Sequence, residues 1–168
     1  MGEIDEASEA FAQRLSWSEA PLTGAAMVQA LSKGQADDEL VNPHFEPAVS
    51  SDLKARSGRS SVAIVIVNRA EPAILLTKRS AKIRFGGQFC FPGGREAPED
   101  AGLQQTALRE TFEEINVLPS ALTFVGCLGR YFTHAGYLIE PHVFTADADL
   151  SFRADPAEVA EIVMVPVT

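Results

Sequence analysis

Three glutamates lie close together in the stretch "TALRETFEEINV", which spans residues 106–117. The spacing of Glu110, Glu113 and Glu114 would bring all three to one side of a helix. Like charges at this spacing repel by roughly 0.2–0.5 kcal/mol per pair in solvent, and covered carboxylates need a cation to neutralise them. Oxygen ligands favour a hard cation, so the cluster predicts a Mg²⁺ or Mn²⁺ site. Taken alone, it is also typical of a solvated acidic helix face.

The helix that carries these glutamates is predicted over residues 100–115, with Asn116 as its left-handed stop. The apolar positions expected to face the core are Ala101, Leu108, Phe112 and Ile115. Leu103 and Ala107 lie nearer the acidic side of the same helix. We therefore expect the acidic side to be partly covered.

A glycine-containing loop, "FPGGREAPED" at residues 91–100, leads into this helix. Gly93 and Gly94 allow a sharp turn and let a ligand approach backbone N–H groups. A Gly-Gly pair is weak evidence by itself, because most such pairs are simply tight turns. Followed at this distance by Arg-Glu-x-x-Glu-Glu, it becomes a much more specific pattern for a metal site.

A basic segment precedes that loop. Four cations occur between residues 78 and 84: Lys78, Arg79, Lys82 and Arg84. In an acidic protein, such a cluster favours a binding site for substrate phosphates, and we expect Arg79 and Arg84 to contribute most. The alternative is a solvated loop that flanks a strand.

The elements that must position these residues are strands on both sides of one helix. The runs "SVAIVIV" (61–67) and "AILLT" (73–77) predict a hairpin. Further strands are predicted over residues 88–91, 121–132, 137–146 and 162–167. Pro141 predicts an edge position or a bulge, and "DPAE" at 155–158 predicts a short helix whose capping box would use Glu158. The pattern indicates an α/β or α+β domain with a mixed sheet.

The composition excludes several classes of protein. A chain of 168 residues with a net charge of −9 is not typical of a nucleic-acid or membrane-surface binder. Cys90 and Cys127 have no zinc-site spacing, and we expect them to be buried free thiols in a cytoplasmic protein. His44, His134 and His142 also lack ligand spacing, which predicts structural or surface roles.

The glycines and acidic residues together resemble the Nudix box, G-x5-E-x7-R-E-U-x-E-E-x-G-U, where U is apolar. The matching residues are Gly94, Arg109, Glu110, Glu113, Glu114 and Val117. The chain departs from the pattern by one extra residue between Gly94 and Arg109, and by Asp100, Thr111 and Asn116 at three of its positions. The resemblance implies an α/β/α sandwich with a mixed sheet and a divalent-metal-dependent hydrolase of nucleoside diphosphates linked to another moiety.

Two departures, together with "LLTKRSAKIRFGGQFCFPGG" (75–94), are similar to the coenzyme A pyrophosphatase branch of this family. That resemblance implies hydrolysis of coenzyme A or acyl-coenzyme A to 3′,5′-ADP and a phosphopantetheine product. Between Arg84 and Gly87 the chain is one residue shorter than is usual in the branch and lacks its histidine. A pyrophosphatase for ADP-ribose, dinucleotides or nucleoside triphosphates is therefore an alternative, and a non-catalytic Nudix-fold binding module is a second.

The resemblance also implies roles for individual residues. Glu110, Glu113 and Glu114 would bind the metal, and Asp100 would act behind them or through a water molecule. Arg109 would tie the helix to the acidic loop at Asp100 or Glu99. Gly93 and Gly94, with Arg79 and Arg84, would contact the substrate. Glu114 and Glu158 are both candidates for the general base, with Glu113 and Arg109 as further catalytic residues.

The chain divides into residues 1–57, a helical N-terminal extension and linker, and residues 58–168, the Nudix domain. Helices are predicted over 3–16 and 23–33. The stretch "MVPVT" ends on a strand, so we expect the helix that usually closes a Nudix domain to be missing. A partner chain, as in a homodimer, is one way to cover the sheet face left open.

Overall fold

The computed structural model describes residues 57–133 and 136–167, so the helices predicted over 3–16 and 23–33 lie outside the described residues. In chain order the elements are β1 (Gly58–Asn68), β2 (Ala73–Arg79), β3 (Phe89–Cys90), β4 (Gly93–Arg95), α1 (Leu103–Ile115), a 3-10 turn (Pro119–Ala121), β5 (Thr123–Cys127), β6 (Tyr131–Phe132), β7 (Tyr137–Asp147) and β8 (Val159–Pro166). Among these elements, no helix is long and apolar enough to cross a membrane.

All eight strands belong to one sheet, whose main path runs β3-β2-β1-β7-β5. β1 and β7 pair in parallel from Gly58↔Tyr137 to Asn68↔Asp147, while the other pairings are antiparallel. β4 adds to β1, β6 to β7 and β8 to β2. The helix α1 contacts β1 and β4. The predicted α+β class with a mixed sheet is therefore confirmed.

The hydrophobic core lies between the central strands and α1. The β-branched run predicted as a strand supplies Ala63, Val65 and Val67, all nearly inaccessible to solvent. Phe144 on β7 and Ile115 on α1 complete the contact between sheet and helix. Burying a side chain of this size stabilises the fold by roughly 1.5–3 kcal/mol, so this interface fixes α1 over β1.

The face of α1 that packs against the sheet differs from the predicted one. Phe112 is 41% exposed and Ala101 is exposed, although both were expected in the core. The buried positions are Leu103, Thr106, Ala107, Thr111, Glu114 and Ile115. Ile115 is buried as predicted, but the rest of the buried face is rotated towards Leu103, the small or polar residues Thr106, Ala107 and Thr111, and Glu114. The expectation that the acidic side is partly covered is confirmed.

Two predictions from local sequence patterns are confirmed. The hairpin of β1 and β2 forms as predicted, and Asn116 ends α1 with φ 57° and ψ 32°. The Asn116 N–H donates to the Phe112 carbonyl at 2.8 Å, as in a left-handed helix stop. The "DPAE" segment instead forms only a turn, because β8 already begins at Val159.

Two further expectations were met only in part. Pro141 lies in an internal strand, so the edge position is wrong, but the ladder is irregular opposite it: three residues, 128–130, face residues 140–141 between the pairs Cys127↔His142 and Tyr131↔Ile139. The carbonyl of Pro141 still accepts from Leu128 N–H at 2.9 Å. Cys90 is only partly buried and Cys127 is exposed, although both are free thiols as predicted.

Candidate active site

Two of the three glutamates lie on the covered side of α1. Glu114 is 4% exposed, and the side chain of Glu110 is 16% exposed. The side chain of Glu113 is 53% exposed and projects at the edge of the group. The helix thus buries Glu110 and Glu114, one turn apart, and leaves Glu113 accessible to solvent.

Strand β4 covers these two carboxylates with backbone alone. A Cβ added at Gly94 would collide with the carboxylate of Glu110. Gly93 has a φ of +153°, and a Cβ there would lie 2.6 Å from the Val62 Cα. The Gly93 N–H donates to Glu114 Oε2 at 3.3 Å. Gly94 is therefore required for the close approach of β4 to the acidic side of the helix, and Gly93 for its close approach to β1.

The burial changes the protonation of this pair. Desolvation, together with the charges of Glu110 and Glu158, raises the pKa of Glu114 to about 8. Desolvation also raises the pKa of Glu110, although Arg109 opposes that shift. Negative charge at this position is thus costly in the protein alone, and an added cation would relieve the cost.

Arg109 joins the acidic loop to the helix, and the predicted pairing with Asp100 is confirmed. Its Nε and Nη2 atoms donate to the two oxygens of Asp100, each at 3.0 Å. Its Nη1 atom donates to Glu110 Oε1 and to Glu113 Oε2, each at 2.9 Å. The Arg109 guanidinium is therefore held in place by Asp100 of the loop and in turn orients the carboxylate of Glu110.

Asp100 is fully engaged by protein groups. Besides Arg109, the Ala97 N–H and the Thr106 hydroxyl donate to Oδ2, each at 2.9 Å. These donors, led by Arg109, hold the pKa of Asp100 far below its usual range despite burial. Asp100 thus acts on the acidic pair only through Arg109, and the expected water-mediated role has no support in these contacts.

Glu158 approaches the pair from the turn before β8. Its charge raises the pKa of both Glu110 and Glu114, and its side chain is exposed. The capping box expected for Glu158 is replaced, because the Asp155 N–H donates to the Glu114 carbonyl at 2.8 Å. The Glu158 carbonyl accepts from Ser80 N–H at 2.7 Å, which ties this turn to the basic segment.

A cavity of about 700 Å³ adjoins the carboxylates. Gly93 and Gly94 line it, as do Arg79 and Arg84 from the basic segment. The charge of Arg79 also lowers the pKa of Glu114, so this guanidinium lies near the acidic pair. All four residues predicted to contact substrate therefore lie around one opening. Lys78 is directed elsewhere, 3.8 Å from Glu161.

Phe85, Arg95 and Tyr137 are among the lining residues that the sequence did not predict. The guanidinium carbon of Arg84 lies 4.6 Å from the Phe85 ring centroid, and that of Arg95 lies 4.6 Å from the Tyr137 ring centroid. Stacking of this kind leaves the edge of a guanidinium free to bind phosphate. The position of Arg95 directly after the Gly-Gly pair was the available signal.

The carboxylate oxygens of Glu110 and Glu114 suit a divalent hard cation as ligands. Glu110 and Glu114 supply only oxygen atoms, and the glycine backbone leaves no room for a covering side chain on Glu110. Neutralisation of two buried carboxylates is also what their raised pKa values call for. Glu113, with one oxygen held by Arg109, lies at the outer edge of such a site.

The comparison with known families fits this geometry. Residues 58–168 match the NUDIX domain. The chain belongs to the Nudix family. Two Nudix relatives are named "Uncharacterized Nudix hydrolase NudL". The protein from Photorhabdus laumondii is 37% identical over 123 residues, 73% of this chain and 66% of that protein. The one from Yersinia pestis is 34% identical over 134 residues, 79% of this chain and 64% of that protein. The match thus spans slightly less than two thirds of either relative.

Solved Nudix structures share the fold at lower identity. A Caenorhabditis elegans Ap4A hydrolase in a binary complex has a TM-score of 0.57 at 19% identity, over 64% of this chain and 79% of that chain. The NUDIX domain of Shewanella oneidensis NrtR, complexed with ADP ribose, has a TM-score of 0.51 at 21% identity, over 73% of this chain and 79% of that chain. Both likenesses show the fold alone.

Proposed function

We propose that this Nudix chain is a divalent-metal-dependent pyrophosphohydrolase that cleaves the diphosphate of coenzyme A or acyl-coenzyme A. The products would be 3′,5′-ADP and phosphopantetheine or its acyl form. The observation that carries the proposal is the buried Glu110–Glu114 pair, which shares Gly93 and Gly94 with an arginine-lined cavity. A diphosphate in that cavity would lie between cationic side chains and the metal ligands.

The metal ligands in this proposal are Glu110 and Glu114, with Glu113 at the accessible edge. A bound Mg²⁺ or Mn²⁺ ion supplies neutralising charge to the diphosphate and acidifies water. Glu110 is held for this role by Arg109 at 2.9 Å, and Glu114 by the Gly93 N–H at 3.3 Å. The protein thus fixes both carboxylates before substrate arrives, which limits reorganisation during the reaction.

Glu158 is the general base we favour. Its carboxylate is exposed to water, and its backbone is fixed by the bond from Ser80. Glu114 is buried and would be occupied as a ligand, which leaves it without a free oxygen facing bulk water. Substitution of a positioned base lowers kcat by about 10²–10⁴-fold, so Glu158→Gln should lose turnover while Mn²⁺ affinity stays close to the wild-type value.

The arginines give the reason for choosing coenzyme A. Arg79 lies near Glu114 and suits the diphosphate, while Arg84 and Arg95 line the same cavity. Coenzyme A carries a 3′-phosphate in addition to its diphosphate, so it can engage more of these cations than ADP-ribose can. The similarity of residues 75–94 to the coenzyme A pyrophosphatase branch supports the same choice.

The test is hydrolysis of coenzyme A, ADP-ribose, NADH and a nucleotide panel with Mg²⁺ or Mn²⁺, by wild type and Glu114→Gln. The proposal expects coenzyme A to have the highest kcat/KM and the variant to lose activity by more than about 100-fold. If no substrate is turned over with either metal, the assignment as an enzyme is wrong and a non-catalytic binding module is favoured. Equal or better turnover of ADP-ribose would overturn only the coenzyme A assignment.

A second measurement isolates the 3′-phosphate. Dephospho-coenzyme A differs from coenzyme A only in lacking that group, so the two substrates form a matched pair. We assign the 3′-phosphate to Arg84. Arg84→Lys should raise KM for coenzyme A by about tenfold, because Lys cannot make the bidentate contact that a guanidinium makes with a phosphate, and should leave KM for dephospho-coenzyme A unchanged. Lys82→Arg, in the same segment, is the control. An equal rise in KM for both substrates in Arg84→Lys would contradict a contact between Arg84 and the 3′-phosphate.

The cytoplasmic location belongs to the same proposal. Both cysteines are free thiols, as expected for a reducing compartment, and coenzyme A is an intracellular cofactor class. The substrate is a small nucleotide-containing molecule, and nucleic acid is not expected as a partner of a chain with a net charge of −9.

A further inference from the structure

A second group of metal-ligating side chains lies on β5 and β7. Cys127 and His142 are directly paired across the antiparallel ladder, and Glu140 lies two residues before His142 on β7. Directly paired residues and residues two apart point to the same face of a sheet. The Cys127 sulfur, a Glu140 carboxylate oxygen and a His142 ring nitrogen all lie within 4.8 Å of one another.

The hydrogen bonds around His142 determine which ring nitrogen is available. The Ser61 hydroxyl donates to the Glu140 carbonyl at 3.0 Å, so its oxygen is left to accept. His142 Nδ1 lies 2.9 Å from that oxygen and 3.3 Å from the Glu140 carbonyl oxygen; because an Nδ1–H can donate to these acceptors, we assign the hydrogen to Nδ1. In the neutral ring, Nε2 then holds a lone pair, and this is the arrangement that second-sphere partners give to metal-binding histidines.

That lone pair is directed at another acceptor. His142 Nε2 lies 3.4 Å from Glu140 Oε1, and His142 is only 3% exposed. The other oxygen of Glu140 already accepts from Arg130 Nε at 2.8 Å, and the rings of Phe124 and Phe144 lie beside the imidazole. These apolar neighbours disfavour a charged imidazolium. In the neutral tautomer assigned above, two acceptors therefore face each other in a covered place, where a cation between them would be stabilised.

The distance between the nitrogen and the oxygen matches a tetrahedral transition-metal site. Ligand bonds of about 2.0 Å to nitrogen and oxygen at a tetrahedral angle place those atoms about 3.3 Å apart, against 3.4 Å here. A thiolate, an imidazole and a carboxylate together favour Zn²⁺ over Mg²⁺. We propose that Cys127, Glu140 and His142 bind Zn²⁺ through Sγ, Oε1 and Nε2, with water as the fourth ligand, and thereby fasten β5 to β7.

This site is separate from the proposed catalytic metal, and no ligand spacing along the chain predicts it. Two of its ligands lie two residues apart on β7, and the third lies on β5 opposite one of them. Only the register of the sheet therefore brings the three together. The expectation that Cys127 and His142 have no ligand role is therefore the one this proposal replaces.

Cobalt provides the test, because a thiolate ligand gives Co²⁺ a near-ultraviolet charge-transfer band that oxygen ligands do not. Titration of the full chain with Co²⁺ should produce this band in wild type, in Cys90→Ser and in Glu114→Gln. Cys127→Ser should abolish it. Absence of the band in wild type, or its persistence in Cys127→Ser, would overturn the proposal. Retention in Glu114→Gln keeps the result independent of the proposed hydrolase activity.

Thiol reactivity gives a second readout. Cys90→Ser leaves Cys127 as the single thiol of the chain, and Zn²⁺ should slow its reaction with a disulfide reagent by at least tenfold. Adding Glu140→Gln, which keeps the shape of the side chain, should weaken the Zn²⁺ affinity measured this way by more than about tenfold. An unchanged reaction rate with saturating Zn²⁺, or unchanged affinity in the Glu140→Gln variant, would contradict the assignment.

Discussion

Two acidic groups lie within one turn-and-helix segment and behave in opposite ways. The side chain of Asp100 is 1% exposed and the residue Glu114 is 4% exposed, so both carboxylates are shielded from bulk solvent. The pKa of Asp100 is held far below its usual range, whereas that of Glu114 is raised to about 8. At Asp100 the guanidinium of Arg109, which binds both carboxylate oxygens, outweighs desolvation, whereas at Glu114 desolvation is the largest effect.

This comparison separates charge that holds the fold together from charge that awaits a ligand. Asp100 is neutralised inside the protein and fastens the loop to α1. Glu114 is crowded by Glu110 and Glu158 and has a weak backbone donor at 3.3 Å. Crowded carboxylates such as Glu110 and Glu114 cost stability in the protein alone, and such costs are typical of functional sites.

The largest effect should come from breaking the internal pair. Asp100→Ala leaves Arg109 partly buried without its bidentate partner, and we expect it to lower the free energy of unfolding by about 3–5 kcal/mol. Urea denaturation of the two proteins measures this. Glu99→Gln changes the exposed neighbour and should stay within about 0.5 kcal/mol of wild type. If Asp100→Ala lowers the free energy of unfolding no more than Glu99→Gln does, Asp100 does not hold the loop.

A smaller effect on stability but a clear one on metal binding is expected at β4. Gly94→Ala places a methyl group against the carboxylate of Glu110, and this flexible end can move while the backbone stays. Mn²⁺ affinity should fall by about 10–100-fold, with the unfolding midpoint little changed. Gly126→Ala has open space around its Cβ and is the matched control. Equal Mn²⁺ affinities in both variants would remove β4 from the site.

The comparison also predicts opposite responses to pH. The folded pKa of Glu114 lies above its ordinary value of 4.5, so the native protein binds the extra proton between pH 4.5 and about 8. With chelator present, wild type should therefore lose stability relative to Glu114→Gln as pH rises through this window, by at most about 1.4 kcal/mol per pH unit. Parallel stability curves for the two proteins would contradict the raised pKa.

At Asp100 the sign is reversed, because its folded pKa lies below the ordinary value of 3.8. Its contribution is present above that value and is lost as pH falls through the acid range. Asp100→Asn should therefore differ most from wild type near neutral pH and converge with it in acid. Denaturation at several pH values, read against Glu99→Gln, checks this, and a difference that grows in acid would contradict it.

Much of the fold followed from local patterns in the sequence. The β-branched run at 61–67 formed the central strand, and Asn116 stopped the helix, because each is set by neighbouring residues. The prediction that Phe112 is buried was wrong, because periodicity assumes an apolar interface, while the buried face of α1 includes the polar residues Thr106, Thr111 and Glu114. Neighbouring residues cannot show that β4 crosses above the acidic side of the helix.

The candidate site was predicted in outline for a similar reason. The motif identified the glutamates and glycines, but the separation of buried Glu110 and Glu114 from exposed Glu113 depends on which face of α1 meets the sheet. Arg95 and Tyr137 reach the cavity from separate strands, and β-sheet register of that kind has no signature within either segment. The local rules place residues on elements, and the long-range pairing decides which of them meet.

Mn²⁺ binding followed by calorimetry tests the central claim, that the uncompensated pair of Glu110 and Glu114 is the metal site. At pH 7 wild type should bind Mn²⁺ with release of a proton, since Glu114 is protonated below its folded pKa of about 8. Glu114→Gln should bind more than about 100-fold more weakly and release no proton, while Glu99→Gln should match wild type. Wild-type affinity and proton release in Glu114→Gln would contradict the account.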